Sequence, residues 1–92
     1  DGFCIAVEDK EILEAMTAVG RLTGIFAEPA GATSFAGLFS LTSTGKITPD
    51  ERVVVVNTGN GLKDVKSVSF TLGQLHVIEP TLTSVGGALG MR

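Results

Sequence analysis

Four consecutive valines, Val53 to Val56, constrain the fold of this chain more than any other feature of its sequence. Valine favours β-strands, and a run without polar alternation is typical of a strand that helices cover on both faces of a parallel sheet. The next residues, Asn57-Thr58-Gly59-Asn60-Gly61, place one hydroxyl, that of Thr58, at the carboxyl end of this strand. Open α/β sheets bind ligands at that edge. The run therefore predicts an α/β fold with a candidate ligand contact at Thr58.

The residues before the valines predict alternating strands and helices. Phe3 to Val7 is apolar and favours a strand, and the acidic residues that follow suit the positive end of a starting helix. Apolar residues then recur at three- and four-residue spacing until Gly24, which supplies a helix stop: Ile12, Leu13, Met16, Val19 and Leu22. We expect this helix to lay one face on a sheet.

A second helix is predicted to start at Pro29 and to run towards Gly45, because the first turn of a helix does not use the amide that proline lacks. Residues 25–27 before it are a candidate short strand. Small residues are concentrated in its first two turns, and they favour tight helix packing over the alternative, which is the close approach of another backbone or a ligand. The predicted order is therefore strand, helix, short strand, helix, strand.

The pattern is weaker in residues 65–92, which we treat as a tail of uncertain structure. Ser67 to Thr71 and Leu75 to Ile78 are candidate extended segments, and Pro80 to Leu89 is a candidate terminal helix. The sequence begins at Asp1 without a methionine, and its glycine-rich segments add backbone entropy that a domain of this size must overcome. We therefore expect residues 1–92 to be one partial domain of a longer protein.

Composition argues against several classes of function. A net charge of −3, without a basic patch and without Tyr or Trp, is not the footprint of a nucleic-acid-binding protein. The apolar runs are far shorter than the roughly 20 residues of a membrane span, so we expect a chain that does not enter a membrane and is cytoplasmic, or lies in an organelle matrix after processing. Cys4 has no partner for an intrachain disulfide and is predicted to be buried and unreactive. Carboxylates are mostly scattered, so no metal site is predicted.

Few side chains are candidates for catalysis. His76 stands between two apolar residues, which is more typical of a structural histidine than of a catalytic base. Lys63 is followed by Asp64 in a polar turn, and we interpret it as a solvated or ion-paired lysine rather than one that forms an imine. Thr58 to Gly61 superficially resembles a phosphate cradle but matches neither of the common glycine-rich fingerprints. On the residues alone, a plain turn explains these glycines equally well.

Two motifs, Glu28-Pro29-Ala30-Gly31-Ala32 and Thr58-Gly59-Asn60-Gly61-Leu62-Lys63-Asp64, together resemble the C-terminal part of the threonine synthase family. The resemblance covers about two-thirds of the chain, from Glu8 to Asp64. It implies the tryptophan-synthase-beta-like fold, fold type II of pyridoxal-phosphate enzymes, in which helices flank an open, mostly parallel sheet in three layers. It also implies that Thr58 contacts the pyridine nitrogen of pyridoxal 5'-phosphate and that the Schiff-base lysine lies upstream of this chain.

The function implied by this resemblance is that of a lyase of threonine biosynthesis, which converts O-phosphohomoserine and water to threonine and phosphate. This chain then provides no catalytic residue and is expected to be inactive alone. Its expected partners are the remainder of the parent enzyme and a small amino-acid substrate, and a homo-oligomer is compatible with the sequence. The alternatives are a related serine or threonine dehydratase and a non-catalytic α/β module that works through association.

Overall fold

The computed structural model describes residues 2–73 and 76–91 of the chain. Within these residues the regular structure is helical: α1 (Asp9–Thr23), α2 (Pro29–Ser43), a 3₁₀-helix (Gly61–Asp64), α3 (Val65–Ser69) and α4 (Leu82–Ala88). None of the helices in this part of the chain is long and apolar enough to cross a membrane.

Helix α1 begins and ends close to the predicted positions. At its start, the backbone N–H of Glu8 donates to Oε2 of Glu11 at 2.7 Å, so a side chain satisfies an amide outside the first turn. At its end, Gly24 adopts φ 74° and its N–H donates to the carbonyl of Gly20 at 3.0 Å. This left-handed conformation favours glycine and explains why the helix stops there.

The apolar stripe of α1 packs against α2 and a small core instead of a sheet. Met16 and Val19 are buried as predicted, whereas Leu22 in the last turn is 81% exposed, so the prediction is wrong for Leu22. The core cluster that α1 joins is formed by Met16, Ala27, Ala32 and Val68, with Ile12 and Leu13 packed against it. Three of the four helices meet there because α1, α2 and α3 each contribute a residue.

Helix α2 confirms the predicted start at Pro29. Its small residues Gly31, Ala32 and Ala36 are buried. Because small side chains allow two helix backbones to approach each other, α1 and α2 can pack closely at this point. The helix ends at Ser43, followed by Gly45 with φ 72°.

The predicted sheet is not formed by the described residues, which contain one isolated antiparallel bridge, between Ala27 and Asn60. The candidate strands Phe3 to Val7 and Val53 to Val56 have no strand partner in this part of the structure. Val54 is 91% and Val56 66% exposed, where the sequence predicts cover on both faces. A strand forms only when neighbouring strands accept and donate its backbone hydrogen bonds, and an unpaired extended segment leaves those groups to water. The three-layer α/β prediction is therefore not confirmed by this fold.

The N-terminal segment differs from the prediction for the same reason. Cys4 is exposed, so the predicted burial of its thiol is wrong. The ring of Phe3 lies 5.7 Å from Nζ of Lys46, and the Phe3 side chain is 67% exposed. Without a sheet to cover this segment, Cys4 and much of Phe3 face solvent, while Ile5 lies beside Gly37 in the middle of α2.

The tail contains helices where one extended segment was expected. Ser67 to Thr71 is not extended, because α3 occupies Val65–Ser69 and the carboxylate of Asp64 accepts a hydrogen bond from the Ser67 N–H at 3.0 Å. This cap outweighs the strand preference of the valines in α3. The candidate segment Leu75 to Ile78 lies partly outside the described residues, and residues 76–79 have no regular structure. The terminal helix is confirmed as α4.

The molecule is elongated. Its radius of gyration is 16.6 Å and its extents are 56 × 26 × 18 Å. A compact domain of this length has a radius of gyration of about 12 Å. Many large apolar side chains accordingly remain exposed, including Val77 at 100% and Leu82 at 91%.

Candidate functional site

Two backbone hydrogen bonds join the turn after the valines to the residues that precede α2. The N–H of Glu28 donates to the carbonyl of Gly59 at 3.0 Å, and the N–H of Gly61 donates to the carbonyl of Phe26 at 2.9 Å. These bonds flank the bridge between Ala27 and Asn60. Thr58 therefore lies just outside the bridge, beside the start of α2.

Glu28, which directly precedes α2, and the first two turns of α2 contact the same segment at every third residue. Three pairs are formed: Glu28 with Gly59, Gly31 with Asn57, and Ser34 with Val56. The last pair is a hydrogen bond in which the Ser34 hydroxyl lies 3.0 Å from the Val56 carbonyl. Positions three apart share one face of a helix. We call these three pairs the register contacts, because they align the start of α2 with residues 56–59 in the opposite direction.

The register contacts depend on two glycines. A Cβ atom on Gly31 would lie 3.2 Å from Cγ of Asn57 and 3.3 Å from the backbone nitrogen of Gly59, and it would overlap the Asn57 amide oxygen. A Cβ atom on Gly59 would overlap the Glu28 carboxylate. Neither glycine has a positive φ, so the missing side chain matters here rather than backbone freedom. Close approach of another backbone, the alternative that the sequence favoured less than tight helix packing, is therefore observed at Gly31.

Glu28 is held on two sides. Its side chain is 15% exposed, and its Oε1 lies 3.9 Å from Nζ of Lys63, whose own side chain is 66% exposed. The interpretation of Lys63 as an ion-paired lysine is thus confirmed. An ion pair with one exposed partner contributes only about 0–1 kcal/mol to stability. The contact between the Glu28 carboxylate and Gly59 is therefore the main constraint on the Glu28 side chain.

Two polar side chains stabilise the chain after the turn. Oδ1 of Asn60 accepts a hydrogen bond from the Leu62 N–H at 2.9 Å and starts the 3₁₀-helix. Asp64 does the same for α3. The pKa of Asp64 is lowered, first because the Ser67 hydroxyl donates to the carboxylate, and second because the Ser67 N–H does so. Lys66 contributes less, and desolvation acts in the opposite direction.

Thr58 and Asn57 are both exposed, and Gly59 is half-buried. Asn57 lies against Gly31 and Gly59 lies under Glu28, while no described residue forms a hydrogen bond with the Thr58 hydroxyl. A threonine hydroxyl can both donate and accept, so it suits a ring nitrogen in either protonation state. The geometry thus leaves the Thr58 hydroxyl accessible to a ligand, next to backbone that Gly31 and Glu28 contact.

The part of the chain that the structure describes gives no support for a catalytic histidine or a metal ion at this site. His76 is exposed, so it is not a packed structural histidine in this fold. Among the residues that the structure describes, no group of three or more side chains is arranged to hold a metal ion.

The sequence predicts Thr58 as a candidate contact, but it does not reveal the residues that contact the neighbours of Thr58. The spacing of Glu28, Gly31 and Ser34 was visible as one helix face, but the partners of that face could not be read from the sequence. Those partners lie more than 20 residues away along the chain, and the nearest pair, Ser34 and Val56, is separated by 22 residues. The pairs also run in opposite directions along the two segments.

Comparison with known proteins gives a consistent result. The model of one protein family, described as pyridoxal-phosphate dependent enzyme, matches residues 1–59. A threonine synthase of Methanocaldococcus jannaschii is 52% identical over 63 residues, which are 68% of this chain and 16% of that protein. Threonine synthases of Methanosarcina acetivorans and Mycobacterium leprae are 39% and 46% identical over 96% and 98% of this chain. The chain spans 22% and 25% of the length of those two relatives.

Proposed function

This chain belongs to the family of pyridoxal-phosphate dependent enzymes, and we propose that it forms part of a threonine synthase. The proposed reaction converts O-phosphohomoserine and water to threonine and phosphate. The observation that carries the proposal is the position of Thr58: no described residue forms a hydrogen bond with its hydroxyl, and its neighbours Asn57 and Gly59 contact Gly31 and Glu28 at the start of α2. The names of the similar proteins support the choice of substrate.

In this proposal Thr58 holds the pyridine nitrogen of the cofactor. Pyridoxal phosphate, when bound, supplies an electron-withdrawing ring to the reacting carbon of an amino-acid substrate. A neutral hydroxyl cannot stabilise a positive charge on the ring nitrogen as a carboxylate would. Thr58 therefore tempers how strongly the ring withdraws electrons, and this helps to control where protons and leaving groups depart.

The other requirements of the site fall to the remainder of the parent enzyme. Lys63 is paired with Glu28 and is not offered as the lysine that binds the cofactor covalently. We propose that this lysine and the groups that hold the cofactor phosphate belong to upstream segments. The same segments would supply strands beside Val53 to Val56 and complete the predicted three-layer sheet, which accounts for the exposed valines. The isolated chain is then inactive.

The test uses the natural protein that contains this chain, purified as wild type and as three variants. We expect Thr58→Ala to weaken pyridoxal-phosphate binding about 3- to 10-fold, which corresponds to the loss of one hydrogen bond, and Thr58→Ser to stay within about twofold. Thr33→Ala is the matched control, because the exposed Thr33 hydroxyl bonds only within α2, to the Pro29 carbonyl. Cofactor affinity is measured by titration of absorbance, and turnover by phosphate release from O-phosphohomoserine.

Three outcomes would count against the proposal. Equal cofactor affinity in Thr58→Ala and wild type would remove the Thr58 contact. Ammonia release from serine or threonine, without phosphate release from O-phosphohomoserine, would identify the dehydratase alternative. A colourless protein that binds no pyridoxal phosphate would leave the association module.

A further inference from the structure

We propose that Glu28 is a positioning residue for Thr58, and that it acts through its contact with Gly59. The inference rests on the proposed role of Thr58 and extends it to a residue that does not itself touch the cofactor. It assigns a role to the largest side chain among the register contacts, which the proposed function leaves unexplained.

Glu28 holds Gly59 twice. Its backbone N–H donates to the Gly59 carbonyl at 3.0 Å, and its carboxylate occupies the space that a side chain on Gly59 would need. Gly59 is the residue directly after Thr58, so movement of Gly59 changes the direction in which Thr58 is presented. On the other side of Thr58, Asn57 lies against Gly31. Thr58 is thus supported through both neighbours, and the Glu28 carboxylate is the side chain that supports it through Gly59.

The shape of the Glu28 side chain matters more than its charge in this arrangement. The side chain is 15% exposed, whereas its cationic partner Lys63 is 66% exposed and lies at 3.9 Å. Solvent screens a pair of this kind strongly. A planar group of the same size as the Glu28 carboxylate, in the same position against Gly59, should therefore hold Gly59 nearly as well. Glutamine has that shape without the charge.

The experiment is a double-mutant cycle on pyridoxal-phosphate affinity in the natural protein that contains this chain. We expect Glu28→Ala to weaken binding about threefold when Thr58 is present and by less than about 1.5-fold in the Thr58→Ala background, because Glu28 then has nothing left to position. Glu28→Gln should stay within about twofold of wild type. Glu51→Ala is the control, since its carboxylate only receives hydrogen bonds from Thr48.

A second variant tests the contact between the Glu28 carboxylate and Gly59 without removing Glu28. Gly59→Ala places a Cβ where the carboxylate lies, and the φ angle of Gly59 allows alanine. We expect it to reproduce the loss seen with Glu28→Ala and to add little to it in the double variant. Circular dichroism and thermal melting establish that each variant is folded, and Glu28→Gln and Gly59→Ala keep the test informative if Glu28→Ala does not fold.

The outcomes separate the two proposals. If Thr58→Ala itself leaves cofactor affinity unchanged, the proposed function of Thr58 fails. If Thr58→Ala weakens binding but the losses from Glu28→Ala and Thr58→Ala simply multiply, Glu28 acts independently and the positioning role is overturned. A Glu28→Gln variant as weak as Glu28→Ala also overturns it, because the contact would then depend on charge.

Discussion

Two glycines of α2, Gly31 and Gly37, face different neighbours, and this difference can be measured. A Cβ on Gly37 would meet Cδ1 of Ile5 at 3.6 Å, an ordinary contact, whereas a Cβ on Gly31 would displace Asn57. Both alanine variants gain the same helix propensity, about 1 kcal/mol. The difference between their free energies of unfolding is therefore the cost of overpacking, about 1–3 kcal/mol against Gly31→Ala. Urea denaturation of the chain measures it, and equal stabilities would contradict the register contacts.

At the scale of elements, the cap of α3 makes a prediction about pH. The pKa of Asp64 is lowered by the Ser67 hydroxyl and N–H, so the cap contributes its full stability above the ordinary aspartate pKa of about 3.9. This contribution is lost as the pH falls through the lowered pKa. We expect Ser67→Ala to raise the Asp64 pKa, and Lys66→Met to raise it less. Carboxyl chemical shifts followed by NMR titration measure both, and a larger effect of Lys66→Met would reverse this order of causes.

Comparison of the elements shows why the helices could be predicted and the sheet could not. The start at Pro29 and the stop at Gly24 are local signals, because the residues that cap a helix lie within a few positions of its ends. A strand depends on partners elsewhere, and Val53 to Val56 has none among the described residues. Thr58 could be proposed from the sequence as the first hydroxyl-bearing residue after the valine run. Its support by Glu28 could not be, since that contact matches two surfaces distant in sequence.

At the scale of the whole molecule, the exposed valines predict that one substitution has different effects in two contexts. Val54 is 91% exposed, so Val54→Lys should change the stability of the isolated chain by no more than about 0.5 kcal/mol. In a complete enzyme with the proposed sheet, the same lysine would be buried without a partner and should cost several kcal/mol. Chemical denaturation of both proteins measures this, with Thr33→Lys on the exposed face of α2 as control. Equal tolerance in the complete enzyme would argue against the sheet.

The register contacts also determine where this molecule can change its length. They tie residues 28–34 to residues 56–59, while residues 48–52 between them are exposed. Insertions and deletions in that connection leave both surfaces intact, because the ends of the loop are fixed by the surfaces themselves. One residue added between Val56 and Gly59 would break the match with α2 instead. The connection at residues 48–52 is thus a natural place for changes in length during evolution or for an engineered peptide tag. The segment of residues 56–59, in contrast, tolerates neither an insertion nor a deletion.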